Sequence, residues 1–447
     1  MVPGSRAVAG LVVCGRLLCP AAGDDSRRHG AMGGLLYGAN GLAAAADLIS
    51  HRRANPRQAL TRDQCPPGIY HCEMVDYVVV GGGVYGCAVA WELAGRGHSV
   101  RVLEAGAVAG RASGGPGRRG VRANGRDRTE LPLMEIAYDV WPGLHERLGS
   151  APFYERVGQL LLVETAEQAA AAEATCQMQV DLGIESRMVQ RGELREMEPA
   201  LSDTMLAALY CPNDGVADHV ATTKAYAAAA TALGVEVSER CAMRSVDVAN
   251  DRVIAIKTTD DERIEVAIGA ILLSNSEVAA QLEDLTAMHL PVWNGCFQVL
   301  MTEPLERVPL RHLVGHVSRT VSLKAHGDDR IMISGGWSGT WDEQAQTGRV
   351  KEESVAGNVA ETIALYPTLA HLQVAEANVG HLESVSVDDI PIIDTVPGVD
   401  NLWFGTGWSG HGWAIAPVVA NELARWCSSG ARPELLRPFA LSRFHRR

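Results

Sequence analysis

No apolar run in this sequence of 447 residues is long enough to cross a bilayer, which takes about 20 consecutive apolar residues. Positive charge is in deficit: 40 Lys and Arg face 53 Asp and Glu, for a net charge of −13. Nucleic acid and anionic membrane surfaces are therefore poor partners. Ten cysteines are scattered without a C-x-x-C pair, which suits the reduced thiols of a cytoplasmic protein. Cys14 with Cys19 and Cys65 with Cys72 fit no standard ligand spacing, so no metal is expected. Residues 1–73 lack the pattern of a core and are rich in Ala, Gly and Arg. Ala7 to Cys14 has a faint signal-like character, but Arg16 interrupts it. A short helix is expected over Gly33 to Ile49. A misassigned start, a targeting piece and a disordered arm all stay open for this extension.

What is present begins at Asp76, in DYVVVGGGVYGCAVAWELAGRGHSVRVLE. Tyr77 to Val80 is a short apolar run of strand type. Gly81-Gly82-Gly83-Val84-Tyr85-Gly86 follows and contains G-x-G-x-x-G. Cys87 to Ala94 has helical spacing, Ser99 to Leu103 is a second strand, and Glu104 closes it. Strand, glycine turn, helix, strand and acid is the order of a dinucleotide-binding unit. Gly81 permits the tight turn, Gly83 lets backbone approach a pyrophosphate, and Gly86 lets the helix pack on the sheet. The first helical N–H groups then point at phosphate with the helix dipole behind them. Glu104 suits ribose hydroxyls and disfavours the 2′-phosphate of NADP.

Ala112-Ser113-Gly114-Gly115-Pro116-Gly117-Arg118-Arg119-Gly120-Val121-Arg122 comes next. It is expected to be a loop, too glycine-rich for helix or strand. It either lies along a cofactor with its arginines or is a solvated basic loop. Farther on, Val235 to Val237 is expected in a small antiparallel set with Met243 to Ala249 and Val253 to Thr258. Ile264 to Leu273 returns to a parallel sheet, and strands near residues 298–333 build a second sheet. Near the C-terminus, Gly405-Thr406-Gly407-Trp408-Ser409-Gly410-His411-Gly412-Trp413 follows an apolar strand and precedes a helix. This second strand-to-glycine-to-helix transition would aim N–H donors at another part of a ligand. For a flavin that part is the N1–C2=O edge, which becomes negative on reduction. Otherwise it is an ordinary helix cap with His411 exposed.

With VVVGGGVYG, the ASGG loop, VDDIPIID, TVPGVDNLWFGTG and SGHGW in place, the chain resembles the FAD-dependent amine oxidoreductases of the D-amino-acid oxidase group. Glycine oxidase and the sarcosine oxidase β subunit are the members it most resembles. The resemblance covers about Met74 to Phe444. It implies an α/β fold: a Rossmann-type FAD-binding domain with an inserted α+β substrate domain, of the D-amino-acid oxidase and glutathione-reductase kind. The FAD domain is expected over 74–152, 218–290 and 371–447, and the substrate domain over 153–217 and 291–370.

Carried over by position, Gly81, Gly83, Val84, Tyr85 and Gly86 would meet the pyrophosphate. Glu104 would hold the adenosine ribose, Ala112 and Ser113 the phosphates, and Met243 the adenine through its backbone. Gly407, Ser409, Gly410, His411 and Gly412 would hold the isoalloxazine. Arg119, Arg122 and His411 would stand at the reacting end, with the arginines gripping a carboxylate. Because an extended loop does not put residues three apart on one side, Arg122 is expected to face substrate and Arg119 to lie nearer the cofactor. Trp293, Phe297 and Trp337 either wall the pocket or pack in the core.

The chain departs from the family at three places. Ser274-Asn275-Ser276 replaces an Ala-Gly pair. Ala414 replaces a lysine that helps hold carboxylate, leaving room for bulkier amines. His381 aligns with a cysteine that attaches flavin in one member type, and is either a covalent anchor or an ordinary histidine. The resemblance implies oxidation of a C–N bond in an amino acid or secondary amine. Hydride passes to flavin N5, the imine is hydrolysed, and oxygen or an electron-transfer partner takes the electrons. An FAD-dependent 2-hydroxy-acid dehydrogenase, or a non-catalytic FAD-bearing subunit within a hetero-oligomer, stays open as an alternative.

Overall fold

The computed structural model describes residues 74–444, all within the compact unit Tyr70–Arg447. The cysteine pairs 14/19 and 65/72 and the helix expected over 33–49 lie outside the described residues. The chain opens with strand β1 (Met74–Val80), helix α1 (Val84–Gly95) and strand β2 (Val100–Glu104). β1 is nearly all β-branched or aromatic, and Tyr77, Val78 and Val79 are fully buried, as a central parallel strand covered on both faces requires. At the turn, Gly81 has φ +109°. A Cβ on Gly86 would lie 1.8 Å from the Gly81 carbonyl oxygen. This contact sets how closely α1 seats on β1, and only glycine permits it.

The glycine-rich stretch that follows differs from the expected loop. Arg118–Val121 forms strand β3, paired antiparallel with Gly215–Asp218. Its partner is almost a hundred residues away, so nothing local announces the strand. Helix α2 (Leu131–Arg147) buries Leu131, Met134, Tyr138 and Trp141 at helical spacing. Strand β4 (Gln159–Val163) follows a short break from Tyr154–Glu155 at Gly158, whose φ is +70°.

Strand β5 (Arg263–Leu272) runs parallel to β1 in the central sheet. Strands β6 (Ser322–His326) and β7 (Arg330–Ser334) form an antiparallel pair in the second sheet. Strand β8 (Leu402–Thr406) pairs parallel with β5, and helix α3 (Ala416–Ser429) follows it. Pro417 sits in the first turn of α3, where its missing N–H costs nothing.

The first sheet thus reads β8, β5, β1, β2 and Glu236–Glu239 through parallel pairs. Glu236–Glu239 belongs to this parallel set, because it pairs with β2. Only Met243–Ala249 and Arg252–Thr258 make the expected antiparallel hairpin. The second sheet has eight strands in the order 374–378, 299–302, β7, β6, 313–316, β4, 207–211 and 187–190. One of its faces packs Leu160, Leu162, Leu323 and Ile333 into a core of their own. The other face carries Gln159, Leu161, Ser322, Lys324 and Ser334 toward a cavity.

Two glycines on helices separate packing from propensity. Gly86→Ala is expected to destabilise the fold by about 1–3 kcal/mol through overpacking. Gly143→Ala, with no atom within 4 Å of the added Cβ, is expected to stabilise by about 0.4–1 kcal/mol. Urea denaturation of the two variants against wild type measures both.

Candidate cofactor and substrate site

A continuous cavity of about 830 Å³ runs from the first glycine turn to the polar face of the second sheet. Gly81, Gly82, Gly83, Val84 and Tyr85 line its first end. A Cβ on Gly83 would meet no atom within 4 Å, so backbone there is open to whatever fills the cavity. Glu104 is buried at the end of β2, and its carboxylate accepts from the amides of Gly82 and Gly106, each at 2.7 Å. Each oxygen keeps further lone pairs for other donors. Ala112, Ser113 and Met243 also line this part. Gly86 does not; it packs on Gly81 instead.

The 112–115 loop is clamped from two sides. The Gly114 amide donates to Val379, and the His381 amide donates to Ala112. A Cβ on Gly380 would lie 2.2 Å from the Ala112 oxygen, so the approach needs glycine. From the other side the Arg119 guanidinium donates to the carbonyls of Ser113 and Gly115.

The second glycine turn meets the first through aromatic rings. Tyr85 stacks on Trp408 with centroids 3.7 Å apart, and its hydroxyl donates to the Gly412 carbonyl at 2.6 Å. Ser409, Gly410, His411 and Gly412 line the cavity, whereas Gly407 is buried against Ser386 and does not. His411 is not an exposed cap residue. Its Nδ1 lies 2.9 Å from the Ser409 carbonyl and its Nε2 lies 3.1 Å from Glu130. Both ring nitrogens therefore face oxygen atoms. Glu130 is fully buried and paired with Arg126 at 2.9 Å. Burial alone would raise the Glu130 carboxyl, but Arg126 and His411 hold it below its ordinary value. Arg126 also donates to the His411 and Arg122 carbonyls.

Arg119 and Arg122 both line the cavity. The expectation that only one would face it fails because the stretch is a strand whose end carries Arg122 past the last paired residue. Burial lowers each guanidinium to about 10, and Arg126 adds to the effect on Arg122. Phe297 lines the cavity, but Trp293 and Trp337 do not, and Trp293 is 54% exposed. Ala414 is buried beneath the lining, its carbonyl accepting from Trp141 at 2.8 Å. It therefore opens no room in the cavity.

Asn275 takes φ +53°, the left-handed conformation that asparagine tolerates. Its side chain turns toward Glu383 and the Ser384 amide, so its bulk stays out of the backbone path. His381 lines the cavity with its ring against Trp341, and its Nε2 has no partner among the described residues. Two cavity groups escape motif reading altogether. Glu383 accepts from Asn275 and the Gly410 amide, and burial raises its carboxyl. Lys324 projects from β6 to the same end as the arginines. Each is an ordinary residue of a strand, and only the sheet places it.

Residues 76–426 match the DAO family, FAD dependent oxidoreductase. The chain belongs to this family, and it is an FAD-dependent oxidoreductase of the amino-acid and amine oxidase type. It is 27% identical to a sarcosine oxidase subunit beta of Arthrobacter sp. over 383 residues, 83% of this chain and 91% of that one. It is also 27% identical to glycine oxidase of Geobacillus kaustophilus, over 82% of this chain and 97% of that one. Among solved structures, L-proline dehydrogenase from P. horikoshii superposes with a TM-score of 0.75 at 23% identity, covering 83% of this chain and 98% of that one. The cavity fits FAD on its own evidence. Open space stands at Gly83, a buried acid at Glu104, and the 409–412 turn faces the same space. No helix among the described residues is long and apolar enough to cross a membrane.

Gly83→Val is expected to yield folded protein without FAD, because the side chain would occupy the open space. Glu104→Ala is expected to weaken retention by about 1–3 kcal/mol, the loss of a charged acceptor. Flavin absorbance per mole of purified protein measures both, and full flavin content in Gly83→Val would remove the pyrophosphate assignment.

Proposed function

We propose that the chain oxidises a C–N bond of an amino acid or secondary amine. The observation that carries this reading is a cavity with nucleotide-type glycine turns at one end and Arg119, Arg122 and Lys324 at the other. A cationic end suits a carboxylate, and the names of the relatives, sarcosine oxidase and glycine oxidase, are those of amino-acid oxidases. When bound, FAD supplies the hydride acceptor at N5.

This chain's residues do the rest. Gly81, Gly83, Val84 and Tyr85 would hold the pyrophosphate, with Gly86 fixing the helix behind them. Glu104 would hold ribose, Ala112 and Ser113 the phosphates, and the Met243 backbone adenine. Ser409 to Gly412 would border the isoalloxazine, with Gly407 shaping the turn from below. The His411 ring, held by Glu130, would stand on the side where reduction deposits negative charge. Arg122 would grip the substrate carboxylate, and Arg119 would hold the 113–115 loop. Loss of hydride converts C–N to C=N, and water then gives an oxo acid or aldehyde plus an amine. The division into an FAD domain (74–152, 218–290, 371–447) and a substrate domain (153–217, 291–370) belongs to the same proposal. So does assembly with a second chain, which the likeness to proteins named as β subunits supports.

A 2-hydroxy-acid substrate is favoured by one observation. His219 lines the cavity with Nδ1 unpartnered among the described residues, and burial lowers its imidazole to about 4, so a neutral base is present. An anaerobic screen of amines, amino acids and 2-hydroxy acids separates the readings. Bleaching of the flavin with release of ammonia or amine supports C–N oxidation. Bleaching only by hydroxy acids overturns it, and a flavin that bleaches with nothing supports a non-catalytic subunit.

With a carboxylate substrate from that screen, Arg122→Ala is expected to raise KM about 10²-fold, from roughly 3 kcal/mol of charged hydrogen bonding. The flavin spectrum should be unchanged. Arg122→Lys should restore only part, since the fork is lost. Arg119→Ala should instead lower FAD retention. An unchanged KM in both alanine variants would place the carboxylate elsewhere.

A further inference from the structure

The substrate end of the cavity holds more positive charge than one carboxylate offsets. Arg119 spends its guanidinium on the carbonyls of Ser113 and Gly115, and Arg122 donates to the Asn124 carbonyl. Lys324 is placed differently. It is 4% exposed, lines the cavity, and has no acidic neighbour acting on it among the described residues. Its Nζ donates to the Ser334 hydroxyl oxygen at 2.8 Å. Ser334 commits its own proton to the Ser322 carbonyl at 3.3 Å. Ser334 thus accepts from the lysine and leaves the lone pair of a neutral amine without a protein donor.

The groups around Lys324 explain why that amine forms. Across the sheet it sits opposite Met332 on β7, with Ser322 and Ser334 in the next row. Gln159 projects from β4 on the same face, with Oε1 unpartnered. The charged neighbours are the guanidiniums of Arg119 and Arg122. Two carboxylates act on Arg119: Asp218, and Glu383, which is bound to Asn275 and the Gly410 amide. Burial first, and then the two arginines, lower the ammonium to about 7. A lysine with this ionisation exchanges protons readily at neutral pH.

We propose that Lys324, as the neutral amine, accepts the proton that the substrate's ammonium group must lose before its C–N bond is oxidised. This rests on the amine-oxidising reading above. One N–H bond of the substrate breaks and one forms on Nζ. The freed nitrogen lone pair then becomes the second bond of the imine as hydride leaves the adjacent carbon to FAD. The proton on Lys324 returns to water after the product departs. The ammonium so formed stands beside the substrate carboxylate, which offsets the repulsion of the two arginines.

The test uses the full FAD-loaded chain and the amine substrate from the screen, following anaerobic flavin reduction against pH. In wild type the second-order rate constant should rise as Lys324 loses its proton, through about pH 7. Lys324→Met should lower it about 10²-fold near neutrality. The deficit should shrink at higher pH, where the substrate amine is already neutral in solution. Lys324→Arg should show the same deficit, because a guanidinium keeps its proton. Three results overturn the proposal. The first is a wild-type pH profile kept in Lys324→Met. The second is rescue by Lys324→Arg with Lys324→Met raising only the substrate Kd, which makes Lys324 an anchor for a second carboxylate. The third is a wild-type flavin that no amine or amino acid reduces, which removes the amine reading as well. If Lys324→Met fails to retain FAD, Lys324→Gln, which keeps a donor for Ser334, is read in its place.

Discussion

The ion pair between Arg126 and Glu130, with His411 closing it, joins the two halves of the site. It is buried entirely on both sides, so neither charge has water to fall back on. Removing one partner of such a pair costs about 3–5 kcal/mol, because the other is left uncompensated. The pair does more than stabilise. Arg126 reaches the backbone of Arg122 on one side and of His411 on the other, and Glu130 begins the turn into α2. The approach of β3 and the attitude of the 409–412 turn are thereby referred to one charged cluster. A charged residue pointing into the cavity and a helix end facing it keep a fixed relation without touching each other.

Much of the first glycine turn was legible because its geometry is local. Gly81, Gly83, Gly86 and Glu104 owe their places to a turn, a close approach and a strand end lying within one stretch of chain. The second glycine turn was legible for the same reason, and the alternative of an exposed His411 falls because Glu130 holds its ring. Arg119 and Arg122 were recognised as cations, but their common orientation depends on a strand pairing with residues 215–218. Lys324, Glu383 and Glu130 were invisible. A lysine in a strand, an acid in a strand and an acid at a helix start carry no spacing signal. Their meaning comes from a cavity assembled from several sheets.

Asn275 and Ala414 illustrate how a departure from a family pattern needs the structure before it means anything. The asparagine is bulkier than glycine, yet its left-handed backbone and bonds to Glu383 and Ser384 turn the bulk aside. The alanine seemed to leave space, yet it lies beneath the lining.

The parallel pairing of β1 with β5, and of β5 with β8, has a consequence for how the protein is made. Tyr85 waits for Gly412, Trp141 for Ala414 and Tyr77 for Cys427, each hundreds of residues downstream. At about 5–20 residues per second, the first glycine turn leaves the ribosome well before the segment that completes its cavity. The first glycine turn spends that interval without its closing wall, with apolar strand surface that only later segments cover. Completion of the cavity is thus a late event in synthesis, and it coincides with closure of the sheet.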